Sequence, residues 1–164
     1  MRKELEDKLR ETAPQFLAEM DLDAMQSCMA LGIECGDGWY MPLKHFCEAV
    51  EAMNNASPDK VIVAKQIKAK FGEVTVYWAL EEKGKILLER EIAHDEQMEY
   101  LMRDALLSLM SECRETCELC GSTENVSEER WIYICKQCKE KNKKEGIWSG
   151  WNVTSASDSP SQAN

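Results

Sequence analysis

The sequence predicts an α+β protein in which helices pack with a small antiparallel hairpin or sheet, followed by a separate cysteine-built module near the C-terminus. Three observations lead there. The stretch "VIVAKQIKAKFGEVTVYWAL" (61–80) carries a two-residue apolar period on both sides of Gly72. The segments before and after it place their apolar residues at intervals of three and four. Finally, "CELCGSTENVSEERWIYICKQC" (117–138) holds two C-x-x-C pairs separated by fourteen residues. Period two is the signature of a half-buried strand, and spacings of three and four are that of a helix face.

In chain order, Leu5, Leu9, Phe16, Leu17 and Met20 stand at approximate helical spacing, with Pro14 expected to break or restart the helix. The string "LGIECGDGWYMP" (31–42) has three glycines, Asp37 and Pro42, which mark an ordered turn ahead of a second helix with Pro42 near its first position. Leu43, Phe46, Cys47, Val50 and Met53 share one face of that helix, and "NNASPDK" closes it. Val61, Val63, Ile67 and Phe71 are expected to alternate against Lys68 and Lys70 in one strand. Val74, Val76, Trp78 and Leu80 do the same in the next, and Gly72 forms the tight turn between them. From about residue 89 to 116, Met98, Leu101, Met102, Ala105, Leu109, Met110 and Cys113 predict the longest helix, leading straight into Cys117. The expected organisation is an α+β body over residues 1–112, a metal module over 113–148, and a disordered, Ser-rich tail over 149–164 that has too little apolar surface to offset its ordering entropy.

Cys117, Cys120, Cys135 and Cys138 are the candidate metal ligands. A tetrahedral zinc ion takes four thiolates at about 2.3 Å, and each C-x-x-C turn delivers two of them. Gly121 lets the chain fold back beneath the ion. "RWIYI" (130–134) reads as a strand returning to the second knuckle, and "KEKNKKEG" (139–146) as a short helix. This order resembles a treble-clef or ribbon zinc finger. One Zn2+ held by four cysteines leaves no position open for water, so the site reads as structural. A thioredoxin-like dithiol would need one C-x-x-C in a βαβ setting, and here there are two around a short hairpin. Cys28, Cys35, Cys47 and Cys113 are read as packed thiols, because their spacings, even with His45 included, match no metal template. His94, in "AHDEQMEY", reads as a solvated helix residue.

The net charge of −10, from 30 acids and 20 bases, argues against wholesale coating of nucleic acid. No apolar run approaches the roughly 20 residues that span a bilayer. The N-terminus lacks a secretory h-region, and free cysteines suit a reducing compartment, so a cytoplasmic protein without membrane contact is expected. No Ser/His/Asp set, Cys/His set or phosphate-cradling glycine loop is visible, which points away from an enzyme.

The "ECGDGW" string before a cysteine-bearing helix, the "QIKAKFGEVTVYW" strand pair and the two terminal cysteine pairs resemble a group of small uncharacterised bacterial and bacteriophage proteins over about residues 30–140. In that group the hairpin reads more like "KEKFGGLRFY", so Glu73 stands here at the second glycine. The resemblance implies a phage or prophage origin and a host-cytoplasm location, and no activity. The leading expectation is therefore a non-enzymatic zinc protein that binds, and inhibits or redirects, a host protein complex such as a defence nuclease or RNA polymerase; Trp39 and Tyr40 read first as core anchors and second as contacts for that partner. The alternative is a nucleic-acid-binding zinc protein that uses Lys136, Lys139, Lys141, Lys143 and Lys144, with Trp148 and Trp151 nearby for stacking. Against it, residues 117–146 carry six acids and six bases. HNH endonucleases also use treble-clef knuckles, but they need histidines, and none follows His94. RNA polymerase regulators of the DksA type resemble the helix leading into C-x-x-C pairs, but carry a coiled-coil tip where this chain has strands.

Overall fold

A computed structural model describes residues 1–145. The expected tail over 149–164, Trp148 and Trp151 lie outside the described residues. The elements are α1 (Lys3–Thr12), α2 (Tyr40–Ala56), β1 (Lys60–Lys70), β2 (Glu73–Glu82), α3 (Glu96–Glu115), β3 (Val126–Glu128), β4 (Tyr133–Cys135) and α4 (Lys136–Lys144). β1 pairs antiparallel with β2, and β3 with β4, as two separate two-stranded sheets. The expected α+β class is what the chain adopts.

α1 stops at Thr12 ahead of Pro14, which has no N–H to continue the helical ladder. Phe16 and Leu17 are nevertheless fully buried, carried into the core by the turn that follows. α2 presents Leu43, Phe46, Cys47 and Val50 to the same core, where Phe16 and Phe46 meet edge to face with centroids 5.6 Å apart. At the end of α2 the Asn54 side chain accepts from Ile62 N at 2.7 Å and donates to Ile62 O at 2.9 Å, so a buried amide is satisfied by the strand it packs on. Glu51 likewise accepts from the backbone N–H of Phe16 at 3.1 Å.

The hairpin corrects the expected alternation. The register of β1 against β2 shifts between Ala64 and Gln66, a bulge at Lys65 that reverses the side-chain parity. Ile62 and Ala64 before it, and Ile67 after it, therefore face the main core, while Val61 and Val63 are buried outside that cluster. β2 keeps its predicted face: Val74 and Leu80 are in the core, and Val76 and Trp78 pack against it. Phe71 leaves the apolar face altogether. It occupies the hairpin tip at φ 52° with Gly72 at φ 82°, the paired left-handed conformation of a two-residue I′ turn.

The bulge also sets an ion cluster. Lys65 donates to both Glu19 and Glu81, and Glu19 accepts from the Ser27 hydroxyl at 2.6 Å. Burial disfavours the Lys65 charge, but these two carboxylates raise its pKa above the ordinary lysine value.

α3 begins at Glu96, not near residue 89. Residues before it run beside β2 instead, with Glu82 N bonded to Glu91 O at 3.0 Å and Ala93 N to Leu80 O at 2.8 Å. The helix can start only where those backbone groups are released. Asp95 is the N-cap, accepting from Met98 N at 3.0 Å. His94 consequently precedes the helix, and it is exposed as expected. Met98, Met102, Leu109 and Cys113 of α3 complete the main core.

Candidate metal centre

α3 ends at Glu115, and the next three residues open the first cysteine turn. Gly121 N bonds to Cys117 O at 2.8 Å and Cys117 N to Ser122 O at 2.8 Å, closing a tight loop in which Gly121 takes φ 78°. The chain then forms the β3–β4 hairpin. Its tip is Arg130 and Trp131, at φ 51° and 68°. The expected strand over "RWIYI" is thus shortened to Tyr133–Cys135, since two of those five residues make the turn. Cys135 ends β4 and caps α4, its sulfur accepting from Cys138 N at 3.5 Å. Knuckle, hairpin and a helix that supplies two ligands from its first turn is the order of a treble clef.

The four sulfurs of Cys117, Cys120, Cys135 and Cys138 all lie within 4.8 Å of one another, an arrangement that could hold a metal ion. The Cys120 and Cys135 sulfurs are 3.7 Å apart. Metal–sulfur bonds of about 2.3 Å in a tetrahedron require sulfur–sulfur edges of ~3.8 Å, the spacing that the Cys120–Cys135 pair shows. Cys117 and Cys135 are buried, Cys138 is half-buried and Cys120 exposed. The Cys135 thiol is held below its ordinary value: burial opposes this, but the Cys138 N–H and the neighbouring thiols favour the thiolate.

The "ECGDGW" string, whose role the sequence did not disclose, is the seat of this knuckle. Gly38 N donates to Glu118 O at 2.8 Å, and Gly36 N to the Glu118 carboxylate at 3.0 Å. A Cβ on Gly36 would overlap the Glu118 carbonyl, and one on Gly38 would overlap the Cys117 carbonyl and stand 2.5 Å from Gly121 N. Backbone therefore lies directly on backbone, which only glycine permits here. Burial pushes the Glu118 carboxyl up, while the Gly36 N–H offsets part of that rise. Trp39 is fully buried and its indole N–H donates to Thr116 O at 3.1 Å. Trp39 is therefore the core anchor that its size suggests, and its second reading as a partner contact is corrected, because an indole fastened to the last residue before the knuckle offers no surface. Tyr40 is half-buried and packs against the main core. Asp37 is tied from the other side by the backbone N–H of Arg2 at 2.7 Å and by its side chain.

The remaining cysteines stand apart from the quartet. Cys47 and Cys113 are buried in the main core, and Cys35 packs against it. Burial pushes the thiols of Cys35 and Cys47 up to about 12, so both are inert. Cys28 is exposed, which corrects its reading as a packed thiol; it opens a short 3₁₀ turn whose buried member is Met29. His45 hydrogen-bonds Glu112 at 2.9 Å at the surface. Of the α4 lysines, Lys136, Lys139 and Lys143 line one shallow concavity with Asn125, Ser127 and Glu140. Lys139 pairs with Glu129, and Lys141 lies 3.9 Å from Glu145. No described helix is long and apolar enough to cross a membrane.

Two surface features escaped the sequence reading. One is a groove between α2 and α3. The other is the meeting of the two hairpin tips, where Phe71 and Trp131 stand edge to face with centroids 6.0 Å apart. Neither turn position was visible in the sequence, where both aromatics fall in expected strands, and only the long-range contact makes the pair. Comparison with protein-family models, with curated proteins and with solved structures finds no match.

Proposed function

We propose that this is a non-enzymatic binding protein whose one zinc ion is structural, and whose α2–α3 face docks a basic amphipathic helix of a host protein. Zinc is the ion favoured by four thiolates at tetrahedral spacing with no fifth donor. The single observation that carries the docking reading is the outer surface of α3. Tyr100 and Leu107, seven residues apart on one helical stripe, are 69% and 67% exposed, and Leu101 beside them is 39% exposed. Along the adjacent stripe runs a groove of about 290 Å³ lined by Phe46, Met53, Leu101, Ala105 and Leu109. Asp104 and Glu112 also line it, Glu112 with His45 bonded to it at one end and Asp104 exposed. An apolar channel rimmed by carboxylates complements a helix with an apolar stripe flanked by Lys or Arg. The resemblance to bacteriophage proteins makes a host complex, such as a defence nuclease or RNA polymerase, the class of partner.

The test places a photo-crosslinking residue at Leu101 in cells, with one at Met25 as control. The expected adduct is specific to position 101, maps to a basic helical segment of one protein, and is lost when Ala105→Asp is added. A synthetic peptide of that segment should bind the purified protein and fail with Ala105→Asp. Equal labelling at both positions, or no adduct at all, would overturn the reading.

A further inference from the structure

We propose that the joined hairpin tips form a second, separate binding site, a stacking platform for single-stranded nucleic acid built from Phe71, Trp131 and Tyr77 with Lys68 and Lys70 between them. Phe71 is 70%, Trp131 65% and Tyr77 45% exposed. The register pairs Lys68 with Thr75 and Lys70 with Glu73, which sets both lysines on the solvent side of the hairpin with Tyr77. The ammonium of Lys68 stands 5.4 Å from the centre of the Tyr77 ring and that of Lys70 5.7 Å from the centre of Phe71. The outer surface thus runs from the Tyr77 ring through the two lysines to the Phe71–Trp131 pair.

Backbone conformation supplies an independent observation. Phe71 at φ 52° and Trp131 at φ 68° occupy left-handed turn positions that normally take Gly, Asn or Asp. A bulky aromatic there costs conformational energy, and neither ring recovers it by burial. The strain is consistent with rings held outward for an external partner. The two tips are also locked together: a Cβ at Gly72 would lie 3.2 Å from the Trp131 carbonyl carbon. Trp131 is therefore positioned by the metal module and Phe71 by the body.

Charge selects the occupant. The carboxylates around the stripe are engaged, Glu73 by Arg114 at 3.0 Å, Glu129 by Lys139, and Glu34 by Gln66 at 2.9 Å. Lys68 meets Gln66 at 2.7 Å in addition to its ring. A polyanion that also offers flat apolar faces fits two ammonium groups flanked by exposed rings. A single strand has unstacked bases for the rings and phosphates for the lysines, whereas a duplex hides its base faces. The net charge of −10 over the whole chain confines a polyanion to this local exception.

The experiment measures fluorescence anisotropy of a labelled oligothymidine of about 15 nucleotides with the full-length, metal-loaded protein. The expected result is salt-dependent binding that a duplex of equal length competes for poorly. Phe71→Gly and Trp131→Gly, which relieve the strained φ angles and stay folded and metal-loaded, should each weaken binding about tenfold or more. Lys70→Ala should lower the slope of log K against log salt by about one. Leu101 and Ala105 variants should bind as wild type, so this site and the α2–α3 groove fail separately. Absence of oligonucleotide binding, unchanged affinity in the glycine variants, binding lost only on substituting Lys136, Lys139 and Lys143, or preference for an acidic peptide over the oligonucleotide would each overturn the inference.

Discussion

The body and the cysteine module have two kinds of core. α3 packs from Met98 to Cys113 into a continuous apolar cluster drawn also from α1, α2 and both strands of the large hairpin, with Trp39, Phe16, Leu43 and Ile62 fully buried. Beyond its C-terminus the second cluster has only three buried side chains, Cys117, Ile134 and Cys135, and two of these are candidate ligands. Removing apolar surface from water at about 25 cal/mol per Å² can hold the first together, but cannot hold the second. One helix thus joins a body that folds by burial to a module whose apolar core is too small for that, and whose four thiols could hold a metal ion. One close seam between them is backbone on backbone, at Gly36 and Gly38, and another is the meeting of the two hairpin tips at Phe71 and Trp131.

Breaking the comparison at the metal should have the largest effect. Structural sites of this kind carry apparent binding energies of about 10–16 kcal/mol, so chelation or Cys117→Ser should abolish hydrogen-exchange protection in β3, β4 and α4. The β1–β2 amides should stay protected. Loss of protection in both regions together would show that they are one cooperative unit.

The reverse break is Phe46→Ala. Phe46 is 3% exposed and meets Phe16 in the centre of the body, so truncation should cost about 3–5 kcal/mol in denaturant unfolding. The folded fraction should retain a full complement of metal, measured by elemental analysis. Metal loss in parallel with body stability would contradict the division.

The seam itself is sharpened by Gly38→Ala. The added methyl would meet the Cys117 carbonyl, and overpacking of this kind costs about 1–3 kcal/mol. Both regions should feel it: a lower melting temperature, and weaker retention of metal against a competing chelator. An unchanged metal affinity would mean the knuckle does not need its seat.

The smallest effect comes from Asp37. Its carboxyl is held below the usual 3.8, first by the Arg2 backbone N–H and then, against some desolvation, by the Arg2 side chain. A depressed folded pKa adds stability that is complete above pH 3.8 and lost as the pH falls through the lower folded value. Asp37→Asn should therefore be less stable than wild type at neutral pH, and the gap should close in acid titration below that point. A gap independent of pH would assign the role of Asp37 to geometry alone.

What could be read in advance follows the range of the interactions. The ligands were legible because C-x-x-C spacing is local chemistry, and α2 and β2 because one apolar period runs through each. The Lys65 bulge was not, since Val61, Ile62, Val63 and Ala64 are all apolar and give no parity from which to detect a shift. The start of α3 was misplaced because residues before Asp95 have helical composition but bond to the edge of β2. The burial of Trp39 follows from its size, but its partner, Thr116, lies 77 residues away and no local pattern points to it. The two glycines of "GDG" advertised a close approach, but not that the approaching backbone was that of Cys117 and Glu118.

X-ray absorption spectroscopy at the metal edge, on protein purified under reducing conditions, probes the coordination of the C-terminal module directly. The expected spectrum fits one ion per chain with four sulfur neighbours at about 2.3 Å and no oxygen. A stoichiometry near zero, or a first shell with light-atom ligands replacing sulfur, would contradict a module organised by Cys117, Cys120, Cys135 and Cys138.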